Sequence, residues 1–230
     1  MITRRDFGLA VSAIALARPA AAIEKAAQFA PAADLAKDIA ILRQAYEVMH
    51  PGLYRYNSKA EMDARFAALA VEFPKSKTLQ EAYLTLTRFT ASIKCGHTYS
   101  SFFNQPKSTD EALFAGRDKL PLHFKWRGGR MIAIKDLTPG GKIVRGTEVL
   151  SINGIDAKVV LDSLTPLVRA DGSNDAKRRY LLEAKGLESI EAFDVYYPLV
   201  FPLKSAEFAL SLRTPAGLES KVVLPAIDLA

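Results

Sequence analysis

The chain has a single cysteine, Cys95, so no internal disulfide can staple it and its stability must come from a packed core. Histidine is as scarce, with only His50, His97 and His123. Their spacings do not converge with Cys95 on a tetrahedral site, so no metal and no cofactor is expected. No apolar run approaches the roughly 20 residues that cross a bilayer. Charge is not dominated by one sign: 31 basic residues face 25 acidic ones, a formal +6. Three of the basic residues and one acidic residue lie in the first 22, so the remainder carries 28 − 24 = +4. The remaining basic residues are scattered, without the basic helix or aromatic-interleaved patch that nucleic-acid binding needs. Internal repeats and low-complexity linkers are missing as well. What is left is an ordinary globular composition of 230 residues, 49% apolar, long enough for one or two domains.

The first 22 residues read as an address rather than as fold. Thr3-Arg4-Arg5-Asp6-Phe7-Gly8-Leu9 fits a twin-arginine pattern, an apolar stretch runs from Phe7 to Ala17, and Ala20-Ala21-Ala22 offers a small-residue cleavage site. Residues 1–22 are therefore expected to be a Tat-like signal peptide. The destination would be the periplasm or the medium, with no stable membrane insertion after cleavage.

Apolar residues then recur at helical spacing. Leu35, Ile39, Leu42, Tyr46 and Met49 predict a helix over 32–49, stopped by His50-Pro51-Gly52. Ser58-Lys59-Ala60-Glu61 and Thr78-Leu79-Gln80-Glu81 are capping boxes that open two more helices, one ending at Pro74 and the other near Ile93. Gly96 is expected to terminate the third helix, with His97 and Thr98 opening a β-like run. Residues 102–119 read as loop. Leu120–Trp126 and Met131–Ile134 read as a hairpin around Arg127-Gly128-Gly129-Arg130. A strand over 147–152 leads to Asn153-Gly154, a strong turn signal, and then to helices opening at Asp156 and Asn174. Residues 188–200 are ambiguous, helical and then extended near Tyr196-Tyr197-Pro198. Alternation in Phe208–Leu212 and Leu218–Leu224 predicts a terminal hairpin. The predicted fold class is α+β: a three-helix N-terminal domain over 32–103, then a β domain with short helices over 118–228.

Two stretches carry candidate chemistry. His97, just past a helix end, is placed to act as a base, since an unperturbed imidazole titrates near 6.5. Cys95 and His97 could form a nucleophile pair if extended, because residues two apart on a strand share a face. With Gly96 breaking the helix between them, Cys95 reads instead as a small packing residue. Gly146-Thr147-Glu148-Val149-Leu150-Ser151-Ile152-Asn153-Gly154 looks like the core of a PDZ domain, whose signature is G-D-x-I/L-L-x-I/V-N-G. PDZ domains bind extended peptides by strand addition beside a helix. The helix after Asp156 carries Val159, Val160 and Leu164, and Val160 is the candidate groove residue for an extended peptide with an apolar C-terminus.

Taken together, His50-Pro51-Gly52-Leu53-Tyr54, Cys95-Gly96-His97-Thr98 and Gly146–Gly154 resemble, in order and rough spacing, exported bacterial relatives of the tail-specific serine peptidases, which include the C-terminal processing peptidases and the tricorn core protease. The resemblance covers about residues 34–228. It implies a helical part and a PDZ-like domain preceding an α/β catalytic domain, with protein or peptide substrates. It also implies a catalytic histidine at the position of His97, although Gly96 stands where the tricorn pattern has serine. That family continues into an Asp-x-Arg-x-N-x-G-G strand and then its nucleophile, and this sequence does not contain them. Ser205 precedes a strand rather than a helix and reads as an ordinary strand-entry serine. The 230 residues are thus expected to supply the base and substrate-positioning parts and to be inactive alone. The alternative is a non-catalytic periplasmic peptide-binding module.

Overall fold

Three amphipathic helices open the fold, and their apolar faces explain their arrangement. A computed structural model describes residues 31–228; the segment read as a signal peptide lies outside them. Helix α1 spans Ala32–Met49, α2 Lys59–Glu72 and α3 Leu79–Ser92. Ser58 and Glu61 form the reciprocal capping box at α2, and Thr78 accepts the Glu81 N–H at α3. Ile39, Leu53, Met62, Phe66, Leu69, Phe89 and Ile93 close into one apolar cluster between these helices.

Helix α3 serves a second core with its other face. Tyr83 and Leu84 join the larger cluster, built from one side of the sheet and the helices laid on it. Between the two parts runs a short helix, α4, Lys107–Leu113, inside the segment expected to be loop. Only Leu113 of this helix is buried, so it shows no apolar period in sequence.

The sheet is antiparallel, in the order β1-β2-β3-β5-β6, with a short β4 paired to β3. Its strands are β1 Leu122–Arg127, β2 Arg130–Asp136, β3 Glu148–Ile152, β4 Ile155–Asp156, β5 Glu207–Arg213 and β6 Glu219–Pro225. Gly128 and Gly129 both take positive φ in the two-residue β1–β2 turn, as Asn153 and Gly154 do between β3 and β4. Asn153 is also docked on β5: its N–H donates to the Ala209 carbonyl at 2.7 Å, and its Oδ1 accepts the Ala209 N–H at 2.8 Å.

Helices α5 (Ala157–Leu164), α6 (Asp175–Leu181) and α7 (Ala192–Val200) complete the second part. Asp156 and Asn174 cap the first two through their side chains. Residues 196–198 are helical, not extended: Tyr196, Tyr197 and Pro198 all lie within α7 and are buried. Because α7 is apolar on nearly every side, it has no amphipathic signature to read. The molecule is thus α+β, and none of the described helices is long and apolar enough to cross a membrane.

One edge of the sheet is closed by the chain itself. The β1 edge donates the Phe124 N–H to the Ala184 carbonyl at 2.7 Å and the Trp126 N–H to Glu183 Oε1 at 3.3 Å. The Trp126 indole N–H reaches the Leu182 carbonyl at 2.9 Å. Phe193 of α7 packs against Phe124 with ring centroids 4.7 Å apart. Leu182-Glu183-Ala184 therefore occupies the position an added strand would take beside β1.

Candidate functional site

The chain between α3 and the sheet is organised by turns, not by a strand. After Ser92 the helix unwinds through the Ile93 and Lys94 N–H groups, which donate to the Thr90 and Ala91 carbonyls. The left-handed residue is Lys94, at φ 61°, and not Gly96. Gly96 instead packs closely against Asp171: a Cβ there would lie 2.6 Å from Oδ2, so a larger residue would push the carboxylate aside. Its N–H donates to Asp171 Oδ1 at 3.1 Å. Cys95 to Thr98 form a turn closed by the Thr98 N–H on the Cys95 carbonyl, which corrects the expected β-like run and leaves His97 exposed at its tip. The asparagine Asn57 holds the base of this turn by donating to the Ile93 carbonyl at 2.9 Å.

Two segments read separately in sequence meet here. His50 Nε2 lies 2.7 Å from Thr98 Oγ1, and the Gly52 N–H donates to His50 Nδ1 at 3.2 Å. A ring nitrogen that accepts cannot carry a proton, so Nδ1 is bare and Nε2–H donates to the threonine hydroxyl. Tyr46 stacks on the imidazole at 5.6 Å. His50 is therefore the clamp that fixes the residue after His97. Replacing Thr98 by Val should remove the acceptor and cost about 1–2 kcal/mol, the usual penalty for a part-buried donor left unpaired. Urea denaturation checks this, and an unchanged midpoint would show that water takes over the hydroxyl's place.

The opposing wall is the loop between α5 and α6. Buried Arg178 of α6 organises it, donating to the Val168 carbonyl at 3.1 Å and the Gly172 carbonyl at 3.0 Å while pairing with Asp175 at 2.8 Å. The Gly172 N–H in turn donates to the Lys94 carbonyl at 2.9 Å, tying the two loops together. This frame presents Arg169, whose guanidinium carbon lies 3.5 Å from the centroid of the Tyr99 ring.

Gly96, His97, Arg169, Asp171, Asn174 and Lys177 line one hollow, and its neighbour, a cleft of about 330 Å³, shares Arg169 and Lys177. Tyr99, Phe102, Phe103 and Tyr196 give that cleft aromatic walls. Burial raises the Tyr196 phenol far above its ordinary value, and burial likewise raises Tyr83 behind it, so this floor stays uncharged at neutral pH.

Among the described residues the His97 ring makes no hydrogen bond, so no carboxyl orients it as a triad would. Cys95 is half-buried and packs against the helical cluster, which suits a filler. Val160 stands corrected: it is completely buried on the core side of α5, while Val159 is the exposed residue. The helix must turn its apolar face to the sheet, so Val160 cannot line an open groove. Arg169, Asp171 and the His50–Thr98 link were not read from sequence. Arg169 and Asp171 sit in an irregular stretch with no period, and the link joins residues 48 apart.

No family model matches the chain, and no curated protein does. Solved structures do resemble it. A complex of mature CPAF with lactacystin aligns with a TM-score of 0.56 at 15% identity, covering 84% of this chain and 34% of that one. A CPAF mutant structure gives 0.54 at 17% identity with the same coverages. Mature CPAF itself gives 0.50 at 18%. The chain therefore spans about a third of the length of these proteins, and at such identities the likeness is one of fold: this chain has the fold of one part of CPAF.

Proposed function

We propose that this chain is the helical and PDZ-like part of an exported serine peptidase of the tail-specific kind, supplying His97 as general base and the surfaces that position a protein or peptide substrate. One observation carries this reading. The two motif stretches around His50 and His97, far apart in sequence, are locked together by the His50–Thr98 hydrogen bond, which presents an exposed imidazole at a loop joint beside a cleft. The fold likeness to CPAF over most of the chain supports the same lineage. In such chemistry a hydroxyl nucleophile from the catalytic domain would pass its proton to the imidazole, and N–H donors would hold the oxyanion. The twin-arginine segment supports export, with a mature N-terminus near Ile23. The binding-module reading is favoured by one fact, the absence of an orienting carboxyl at His97 among the described residues.

The test uses the exported protein recovered from its native cells together with whatever polypeptide supplies the serine. His97→Ala should lower hydrolysis of unstructured peptides by about 10³-fold or more, the scale of losing a triad member. The purified protein of residues 23–230 alone should cleave nothing. Full activity in the His97→Ala protein would overturn the assignment. Cleavage by the isolated chain that disappears in Cys95→Ala would move the chemistry to the thiol.

A further inference from the structure

We propose that the cleft between the Tyr99–Phe103 segment and helices α6 and α7 binds acidic peptide segments that also carry aromatic or branched apolar side chains. Three cations edge it: Arg169, Lys177 and Lys185. None has an acidic partner within ion-pair distance among the described residues. Each is held on an aromatic face instead. Arg169 lies on Tyr99, while the Lys177 and Lys185 ammonium groups lie 5.1 and 3.7 Å from the Tyr180 ring centroid. Stacking fixes the side chains; apart from the Lys185 Nζ bond to the Tyr180 carbonyl at 3.1 Å, it leaves their N–H donors unspent, which lowers the ordering cost when an anion arrives.

The acids of the same cleft are spent differently. Glu183 accepts the Trp126 N–H and faces Arg127 at 3.9 Å. Glu191 accepts the Lys185 and Gly186 N–H groups. Both are buried, with their carboxyls turned to the backbone. Asp171, in the adjoining hollow, is engaged by the Gly96 N–H, and Glu188 stays exposed at the rim. The bonding capacity facing the opening is thus mainly cationic, while the walls are apolar, with Phe102, Ile190 and Leu187, the last 71% exposed. Cations around an apolar trough suit carboxylates alternating with apolar side chains. The interleaved acids disfavour a phosphate polyanion.

Strand addition at β1 is closed by Leu182-Glu183-Ala184. A peptide captured beside the His97 loop would enter this cleft instead. The binding does not depend on His97 acting as a base, so its failure and the failure of the catalytic reading are separable.

The test is a titration of the isotope-labelled protein with an acetylated, amidated octapeptide alternating Glu with Phe or Leu, and with the same peptide carrying Lys in place of Glu. The acidic peptide should move resonances of residues 96–103 and 169–190, and its affinity should fall as salt rises. The basic peptide should move none of them. An Arg169→Met, Lys185→Met variant keeps the apolar stems and should bind the acidic peptide at least about fivefold more weakly, with an unchanged thermal midpoint. Equal binding of both peptides, shifts confined to other surfaces, no shifts at all, or undiminished binding by the variant would each overturn the proposal.

Discussion

Replacing Phe193 by Ala is expected to lower the free energy of unfolding by about 3–5 kcal/mol, the range for emptying a buried aromatic site. Phe193 is 1% exposed and stands where α7 packs on β1. Its ring lies 4.7 Å from Phe124 of β1 and stacks on Tyr197 one turn along α7 at 5.2 Å. The neighbours are rigid aromatics on a strand and a helix, so the site cannot collapse to fill the void. A second effect should accompany the first. With α7 loosened, the segment 182–184 loses its support, and the Phe124 and Trp126 amides should exchange faster than those of β5 and β6. Denaturant titration and hydrogen exchange read the two effects separately. A loss under about 1 kcal/mol would mean that the core repacks around the gap.

Raising the pH through 6 should cost stability through a single carboxyl, Asp194 on α7. Burial raises its pKa to about 6 from an ordinary 3.8; proximity to Glu191 and Asp118 adds to the rise, against the Glu191 N–H and Lys119, which pull it down. A carboxyl with a raised folded-state pKa binds its proton more tightly in the fold than in the open chain. The stability from that proton is fully present below about pH 3.8 and is lost as pH rises through about 6. At about 1.4 kcal/mol per pH unit of difference, up to about 3 kcal/mol is at stake. Asp194→Asn keeps an oxygen for the Glu191 N–H, which donates to Asp194 Oδ2 at 3.3 Å, and removes the charge. The variant should match the parent near pH 4 and exceed its stability at pH 8. Unfolding curves that stay parallel between these limits would show that Asp194 does not titrate in the window.

The sequence by itself determined the helices and turns whose causes are local. Helix α1 runs from Ala32 to Met49 because its apolar residues recur every three or four positions and Pro51 then forbids continuation. Helices α2 and α3 begin at Ser58 and Thr78 because those side chains satisfy the first free N–H groups. Gly128-Gly129 and Asn153-Gly154 turn where positive φ costs least. Each of these causes acts within a few residues, so it can be read along the chain.

Only the tertiary structure decided what surrounds the candidate site, because the forces there join residues remote in sequence. Val160 and Val159 are adjacent and chemically identical, and the placement of α5 on the sheet alone buries one and exposes the other. Gly96 was read as a helix stop; its structural role comes from Asp171, 75 residues away. Apart from Asp194, whose carboxyl joins Glu191 in a capping box, helix α7 is apolar on nearly every side, so periodicity could not mark it, and its packing on α5 and against Phe124 of β1 is what buries that surface. The sequence could not show which segment would cover the β1 edge, and its closure by Leu182-Glu183-Ala184 depends on where α6 ends in space. His97 was singled out from its neighbours, yet its exposure follows from the clamp of His50 on Thr98 and the tie between Lys94 and Gly172. A hydrogen bond across 48 residues has no periodicity to betray it: the two loops must fold together before either partner can recognise the other.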